Sequence, residues 1–338
     1  MYRKFSSVLR VLLFAAFGIV LLWLIFRNQD IDLIYTNLKK ANYYWASMVF
    51  VFGFISNINR SARWNMLLEP LGYKPKLYNT FIAVLIGYFA NLGLPRMGEV
   101  FRCSILNRYE NVPVDKSFGT VVTERIIDVI SLFVCLAIVL LFEFERVSNI
   151  FYDFIVNPIL NKLQSLLGHS ANTNLIAMGV LLVLLVLLFL IWKFILKSSY
   201  YERIIKILNG FNEGLLSIRK VKNIPLLIFH TAMMWVMYWM MAYLCFNSFD
   251  FTAMLSPLTG FVVMVFGGFG FAAPVQGGFG VFHFIVSQTL AQYGVEINNG
   301  LSYALLNHSV QTISVILFGL IALIALPIIN KPKSKSET

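Results

Sequence analysis

The sequence predicts an all-α integral membrane protein, with six full transmembrane helices and two re-entrant, broken helical hairpins forming a pseudo-inverted repeat. Three observations carry this expectation. Hydrophobic residues make up 59% of the 338 and charged residues 13%, with a mean hydropathy of +0.75. That charged share is about half that of a soluble domain. Several apolar windows reach the ~20 residues needed to cross ~30 Å of hydrocarbon. Two apolar stretches are then interrupted by proline and glycine: Leu94–Arg102 (LPRMGEVFR) and Gly267–His283 (GGFGFAAPVQGGFGVFH). A helix does not run smoothly through Pro274 and the Gly277–Gly278 pair. The backbone groups freed at membrane depth need protein or a wet cavity around them.

The elements follow in order. Met1–Arg10 is basic and free of acids, and Val8–Phe26 reads as the first span. Arg27–Asn42 is a short outer loop. Tyr43–Ile58 is the second span, opened by the aromatic belt Tyr43, Tyr44 and Trp45. It ends in NINRSARW and a loop to Leu77 of net charge +3. Tyr78–Leu94 is marginal in length and enters the first break. Phe118–Phe142 is a span with Glu124, Arg125 and Asp128 near its start. Glu143–Thr173 is net −1 and includes a candidate amphipathic surface segment. Asn174–Leu196 spans, Lys197–Lys222 is a loop of net +4, and Ile224–Phe246 spans again. Phe251–Tyr293 holds the second break, Leu301–Ile329 is the last span, and residues 331–338 form a basic tail.

Loop charge selects the topology. With both broken segments re-entrant, the strongly basic loops lie in the cytoplasm together with both termini, and the acidic loop lies outside. The net charge of +11 then belongs to membrane flanks and anionic lipid, and nucleic acid is not an expected partner. Residues 1–330 read as one polytopic membrane domain, with halves of roughly 1–172 and 173–330. The halves share a motif: Pro95 and Pro274 are each followed three residues later by glycine, Gly98 and Gly277. A long span with polar residues follows each break, with Asn307, His308, Gln311 and Thr312 in the second half. Paired interrupted segments point to a transporter's substrate site.

The candidate site residues gather at these breaks. Glu124 and Asp128 are four apart on one helix face, with Arg125 beside them. Ionisable groups inside a span mark a pathway or a paired network, the plain alternative being an interfacial position. Arg60 and Arg63 share a face and suit a phosphate, or else anchor the span on the positive side. Arg96, Glu99 and Arg102 follow the first break on one helix face. The helix N-terminus there is a potential anion site. Gln276, His283 and His308 are the polar residues around the second break, with hydrogen-bonded structure the usual role of such histidines and proton transfer the alternative. Gly277, Gly278 and Gly280 would let backbone approach a headgroup closely. Cys103, Cys135 and Cys245 show no metal spacing. No metalloprotease, P-loop or CxxC motif occurs, and no catalytic residue, metal or cofactor is expected.

The order of RSARW (Arg60–Trp64), LPRMGEVFR (Leu94–Arg102), TERIID (Thr123–Asp128) and PVQGGFG (Pro274–Gly280) resembles the family named for the transmembrane region of lysylphosphatidylglycerol synthase, the flippase-like membrane proteins. The resemblance covers nearly the whole chain. It implies a lipid-translocating or lipid-binding module without the soluble aminoacyl-transfer domain of the bifunctional synthases. His283 stands where the family commonly has glutamate, so no carboxylate role carries over there.

The expected function is therefore translocation or binding of an anionic phospholipid or a polyprenyl-phosphate-linked lipid at a bacterial-type inner membrane. Arg96, Arg102 and Arg125 would meet the phosphate, and Glu99, Glu124 and Asp128 would hold those arginines. The expected partners are membrane lipid and an envelope-synthesis enzyme. An integral-membrane transferase, or a non-catalytic partner in lipid or glycan synthesis, is the alternative.

Overall fold

The computed structural model describes residues 26–27, 29–93, 97–152, 221–273 and 275–330, with scattered positions between 156 and 179. Most of Val8–Phe26, the span Asn174–Leu196, nearly all of Lys197–Lys222, the tail 331–338, and Leu94, Pro95, Arg96 and Pro274 lie outside the described residues. Among the described residues the secondary structure is helical, with no strand. The chain divides into two compact units: Met1–Leu136 with Ser217–Thr338, and Ala137–Leu216.

In the first unit, α1 (Ile31–Lys40) occupies what the sequence suggested was a loop. Its local chemistry explains it. Asp30 accepts the Leu33 N–H at 2.9 Å, Asp32 sits in the first turn, and Lys39 and Lys40 sit in the last. The cap and the helix dipole are both served.

Helix α2 (Tyr43–Leu68) corrects the expected end of the second span at Ile58. It continues for ten residues because Arg60 and Arg63 find carboxylates in the interior and do not turn outward to water. Trp64 and Leu68 join the buried cluster with Ile82, Ile86 and Leu106.

Helices α3 (Leu77–Gly93) and α4 (Gly98–Glu110) form the first hairpin. At ~1.5 Å per residue, the 17 residues of α3 cover ~26 Å, short of a full crossing. The two backbones touch where Gly98 meets the Gly87 carbonyl. The Gly98 N–H donates to Asn91 Oδ1 at 2.8 Å, which stitches the ends of the break together.

Helix α5 (Val114–Phe151) begins four residues before the expected Phe118. Glu124 is therefore ten residues into the helix. Further along, in the second unit, the backbone leaves helical geometry at Glu143 (φ −132°, ψ 32°), where Arg146 Nε donates to Glu143 at 3.1 Å.

Helix α6 (Ile224–Cys245) is capped by Asn223, whose side chain accepts the Leu226 N–H at 3.0 Å. Helices α7 (Pro257–Ala272) and α8 (Val281–Ala291) form the second hairpin, and α9 (Ile297–Ile329) closes the chain. Gly267 and Gly270 let α7 lie against Phe282 of α8; a Cβ at Gly270 would come within 2.8 Å of the Phe282 Cα. Three helices are long and apolar enough to cross a membrane among the described residues: 114–150, 224–248 and 297–329.

Candidate functional site

Three helices, α2, α4 and α5, place the charged residues. Glu124, with a fully buried side chain, accepts from Arg60 Nη1 through Oε1 and from Arg102 Nη2 through Oε2 at 2.5 Å. Arg63 Nη2 lies 3.6 Å from Oε1. One turn on, Asp128 accepts from Arg60 at 3.0 Å and from Arg63 at 2.6 Å. The four-residue spacing puts both carboxylates on one face of α5, and the three-residue spacing does the same for Arg60 and Arg63 on α2. The Arg102 guanidinium lies 3.8 Å from the centroid of the Trp64 ring, and Trp64 Nε1 donates to Thr120. Tyr238 takes a further hydrogen bond from Arg60 at 3.0 Å. Burial is tolerated because each charge meets its counter-charge and hydrogen-bonding partners.

Arg125 sits a helical step to the side. Its side chain is 41% exposed, bonded to Glu99 Oε1 at 3.2 Å, with Asp128 at 3.8 Å. Arg125 and Glu99 line a cavity of about 650 Å³ within the first unit. Both hairpins wall it, with Tyr88 and Asn91 from α3 and Gly267 and Phe271 from α7. Counting Arg60, Arg63, Arg102 and Arg125 against Glu99, Glu124 and Asp128, the described cluster is one positive charge in excess. Of its cations, Arg125 is the one on the cavity wall.

This redistributes the expected roles. Arg60, Arg63 and Arg102 are buried behind the wall, neutralising Glu124 and Asp128, and do not line the cavity. Interior carboxylates hold them because an uncompensated charge there is costly. The N-terminus of α4 is also engaged: Asn91 takes the Gly98 N–H, and Glu99 already supplies an acid to the first turn. Pro95, Arg96 and Pro274 lie outside the described residues.

The second break is governed by its backbone. Gly277, Gly278 and Gly280 have φ of 61°, 71° and 82°, a left-handed run that side chains resist. These glycines shape the turn and are not among the residues lining the cavity. Gln276 lies in the 3-10 turn Gln276–Gly278. His308 Nε2 meets the Gly277 carbonyl at 2.8 Å, tying α9 to the turn. A carbonyl only accepts, so this nitrogen carries the hydrogen.

His283 Nδ1 accepts the Gly280 N–H at 3.3 Å, an N3 side chain satisfying its own N-cap. Glutamate or glutamine performs this role in a capping box, so histidine at this position keeps the cap. The His308 ring lies against Phe271, Phe279 and Phe282, and the His283 ring against Phe279, Phe282 and His308. His283→Gln should melt close to the parent, whereas His283→Leu should lose about 1–2 kcal/mol, the cost of a buried N–H without an acceptor. Thermal melts in detergent decide between them.

Several cavity residues escaped the sequence reading: Ser56 and Asn57 on α2, Tyr88 and Asn91 on α3, and Ser314 on α9. Singly they read as ordinary polar residues in a span. Asn307, Gln311 and Ser314 do carry a signal, since steps of four and three keep them on one face.

Fold and site together define an α-helical integral membrane protein with a largely apolar cavity between two broken hairpins that carries a few polar and charged side chains. The chain belongs to the lysylphosphatidylglycerol synthase TM region family, which matches residues 7–319. It is also similar to the UPF0104 membrane protein MJ1595 of Methanocaldococcus jannaschii, 35% identical over 101 residues. That stretch covers 29% of this chain and 30% of the relative. No solved structure matches the chain significantly.

Proposed function

We propose that this protein binds a lipid with an anionic headgroup and passes it across the inner membrane through the cavity between its hairpins. The observation that carries this reading is Arg125, half-exposed on the cavity wall and backed by a cluster with one surplus positive charge. A headgroup with one negative charge would balance that surplus. Apolar residues such as Val263, Met264 and Val315 complete the lining and suit the lipid's neutral parts.

In this reading the chain has six full spans, both termini in the cytoplasm, and two halves forming an inverted repeat. Helix spacing supports the repeat. The starts Tyr43, Leu77, Gly98 and Val114 are followed after 180 to 183 residues by Ile224, Pro257, Val281 and Ile297. The same offset pairs Glu124 with Asn307, Arg125 with His308, and Asp128 with Gln311. A member of each triplet bonds to the corresponding helix of its own half: Glu124 to Arg60 of α2, and Asn307 to the Met241 carbonyl of α6 at 3.2 Å. An envelope-synthesis enzyme is the partner that would supply or consume such a lipid.

Reconstitution tests this. In vesicles carrying a fluorescent anionic phospholipid, an external quencher reaches only the outer leaflet, about half the label. The protein should make nearly all of it accessible, and Arg125→Ala should restore the half-quenched level. Full quenching by the Arg125→Ala protein would remove Arg125 from the pathway. No quenching beyond half by the parent would end the translocation reading.

A further inference from the structure

We propose that the headgroup this cavity takes is hydroxyl-rich, a sugar or polyol joined to its lipid through a phosphodiester. The proposal rests on the lipid-handling reading above and adds the headgroup's chemistry.

The cavity lining carries two unlike sets of polar groups. One is the ion pair of Arg125 and Glu99. The other is the amides and hydroxyl of Ser56, Asn307 and Gln311, none of them charged. The amides are already ordered into a chain. Gln311 Nε2 donates to Asn307 Oδ1 at 2.5 Å, and Asn307 Nδ2 donates to the Met241 carbonyl. The Gln311 carbonyl oxygen stands at the end of that chain as an acceptor.

Three further groups on the cavity have buried polar atoms with no hydrogen-bond partner among the described residues: Ser56 Oγ, Trp235 Nε1 and Glu99 Oε2. Ser56 is only 1% exposed. A buried polar atom left unpaired is costly, so these atoms call for partners.

Their demands differ in sign. The indole N–H needs an acceptor, the carboxylate and the amide carbonyl need donors, and the serine hydroxyl can take either. An ammonium headgroup only donates, and a quaternary ammonium does neither. A hydroxyl does both, and a sugar or polyol offers several at the spacing of neighbouring carbons. Trp235, Tyr88 and Tyr238 add aromatic faces on which the C–H side of a sugar ring can rest. A volume of about 650 Å³ has room for far more than a phosphate. The single surplus positive charge suits a phosphodiester, with one negative charge, better than a phosphomonoester with nearly two.

Binding and movement are measured on one preparation of the full chain. Phosphatidylinositol, phosphatidylglycerol, phosphatidylethanolamine and phosphatidylcholine with identical acyl chains compete for the detergent-purified protein, read by native mass spectrometry. The same lipids, fluorescently labelled, are followed in vesicles. Phosphatidylinositol, a ring polyol on a phosphodiester, should be retained roughly tenfold over phosphatidylcholine, the scale of one or two hydrogen bonds to a buried site.

Trp235→Phe keeps the ring and removes the N–H; Gln311→Leu removes the acceptor. Each should shrink the preference for phosphatidylinositol over phosphatidylcholine roughly threefold or more. Phosphatidylglycerol retained as well as phosphatidylinositol would assign a small polyol; the ring form alone would assign a sugar. Preference without movement would uphold the headgroup and overturn transport. Equal retention and equal movement of all four lipids would overturn the headgroup and leave transport standing. Neither preference nor movement would overturn both.

Discussion

Glu124→Gln should abolish recovery of a monodisperse protein in detergent. The carboxylate is fully buried and is the shared counter-charge of Arg60, Arg63 and Arg102. Glutamine is nearly the same shape, so the change is one of charge and acceptor strength. Asp128 would be left against three buried guanidiniums. Breaking a buried pair by removing one partner costs about 3–5 kcal/mol, a large part of a typical ~5–15 kcal/mol of stability.

The double variant Glu124→Gln with Arg102→Met separates this from nonspecific damage. It returns the buried group to its original surplus of one charge and should recover folded protein. If the single variant elutes and melts like the parent, the cluster is not held together by this charge. Arg125→Ala should barely move the melting temperature, because its pair with Glu99 is partly solvated and worth about 0–1 kcal/mol. That contrast makes Arg125→Ala a clean variant for the transport measurement.

Gly98→Val should disrupt the first hairpin. Even a single Cβ at this position would collide with the Gly87 carbonyl and lie 2.7 Å from the Asn91 side chain that caps the break. Two backbones meet there, so no flexible side chain can move aside. Overpacking of this kind costs about 1–3 kcal/mol and more where nothing relaxes; valine adds two further methyls. Gly98→Ala should fall between valine and parent.

Gly93→Ala is the control, because an added Cβ there has nothing among the described residues within 4 Å. It should be neutral or slightly stabilising, since alanine is the better helix former. Thermal melts of the three variants in one detergent give the order. Gly98→Val melting with Gly93→Ala would contradict the close approach.

Much of the architecture was legible because hydrocarbon restricts what a chain can do. Long apolar windows had to be helices, and Tyr78–Leu94 read as marginal in length for a full crossing. The acid–arginine motif in α5 was visible from residue type alone. Its exact pairing was not. Arg60 and Glu124 are 64 residues apart, and nothing local says that α2 continues past Ile58 to bring them together. Nor does the sequence separate the arginines by exposure: Arg102 is buried behind the cavity wall and Arg125 lies on it.

Helical α1 was also missed, because an Asp N-cap and two terminal lysines form only a weak local signal in a mixed-charge stretch. His283 carried a cue that composition could not interpret: three residues after Gly280, it stands at the N3 position of a helix whose start was not known.

The residue order already contained the membrane class, both broken hairpins and the family of this protein, since hydropathy, proline and glycine act through their immediate neighbours. The division of labour among the charges was left to the tertiary structure. Which guanidinium is neutralised and which faces the cavity depends on how helices distant in the chain turn their faces toward one another, and in a low-dielectric interior that orientation decides the energy of every charge.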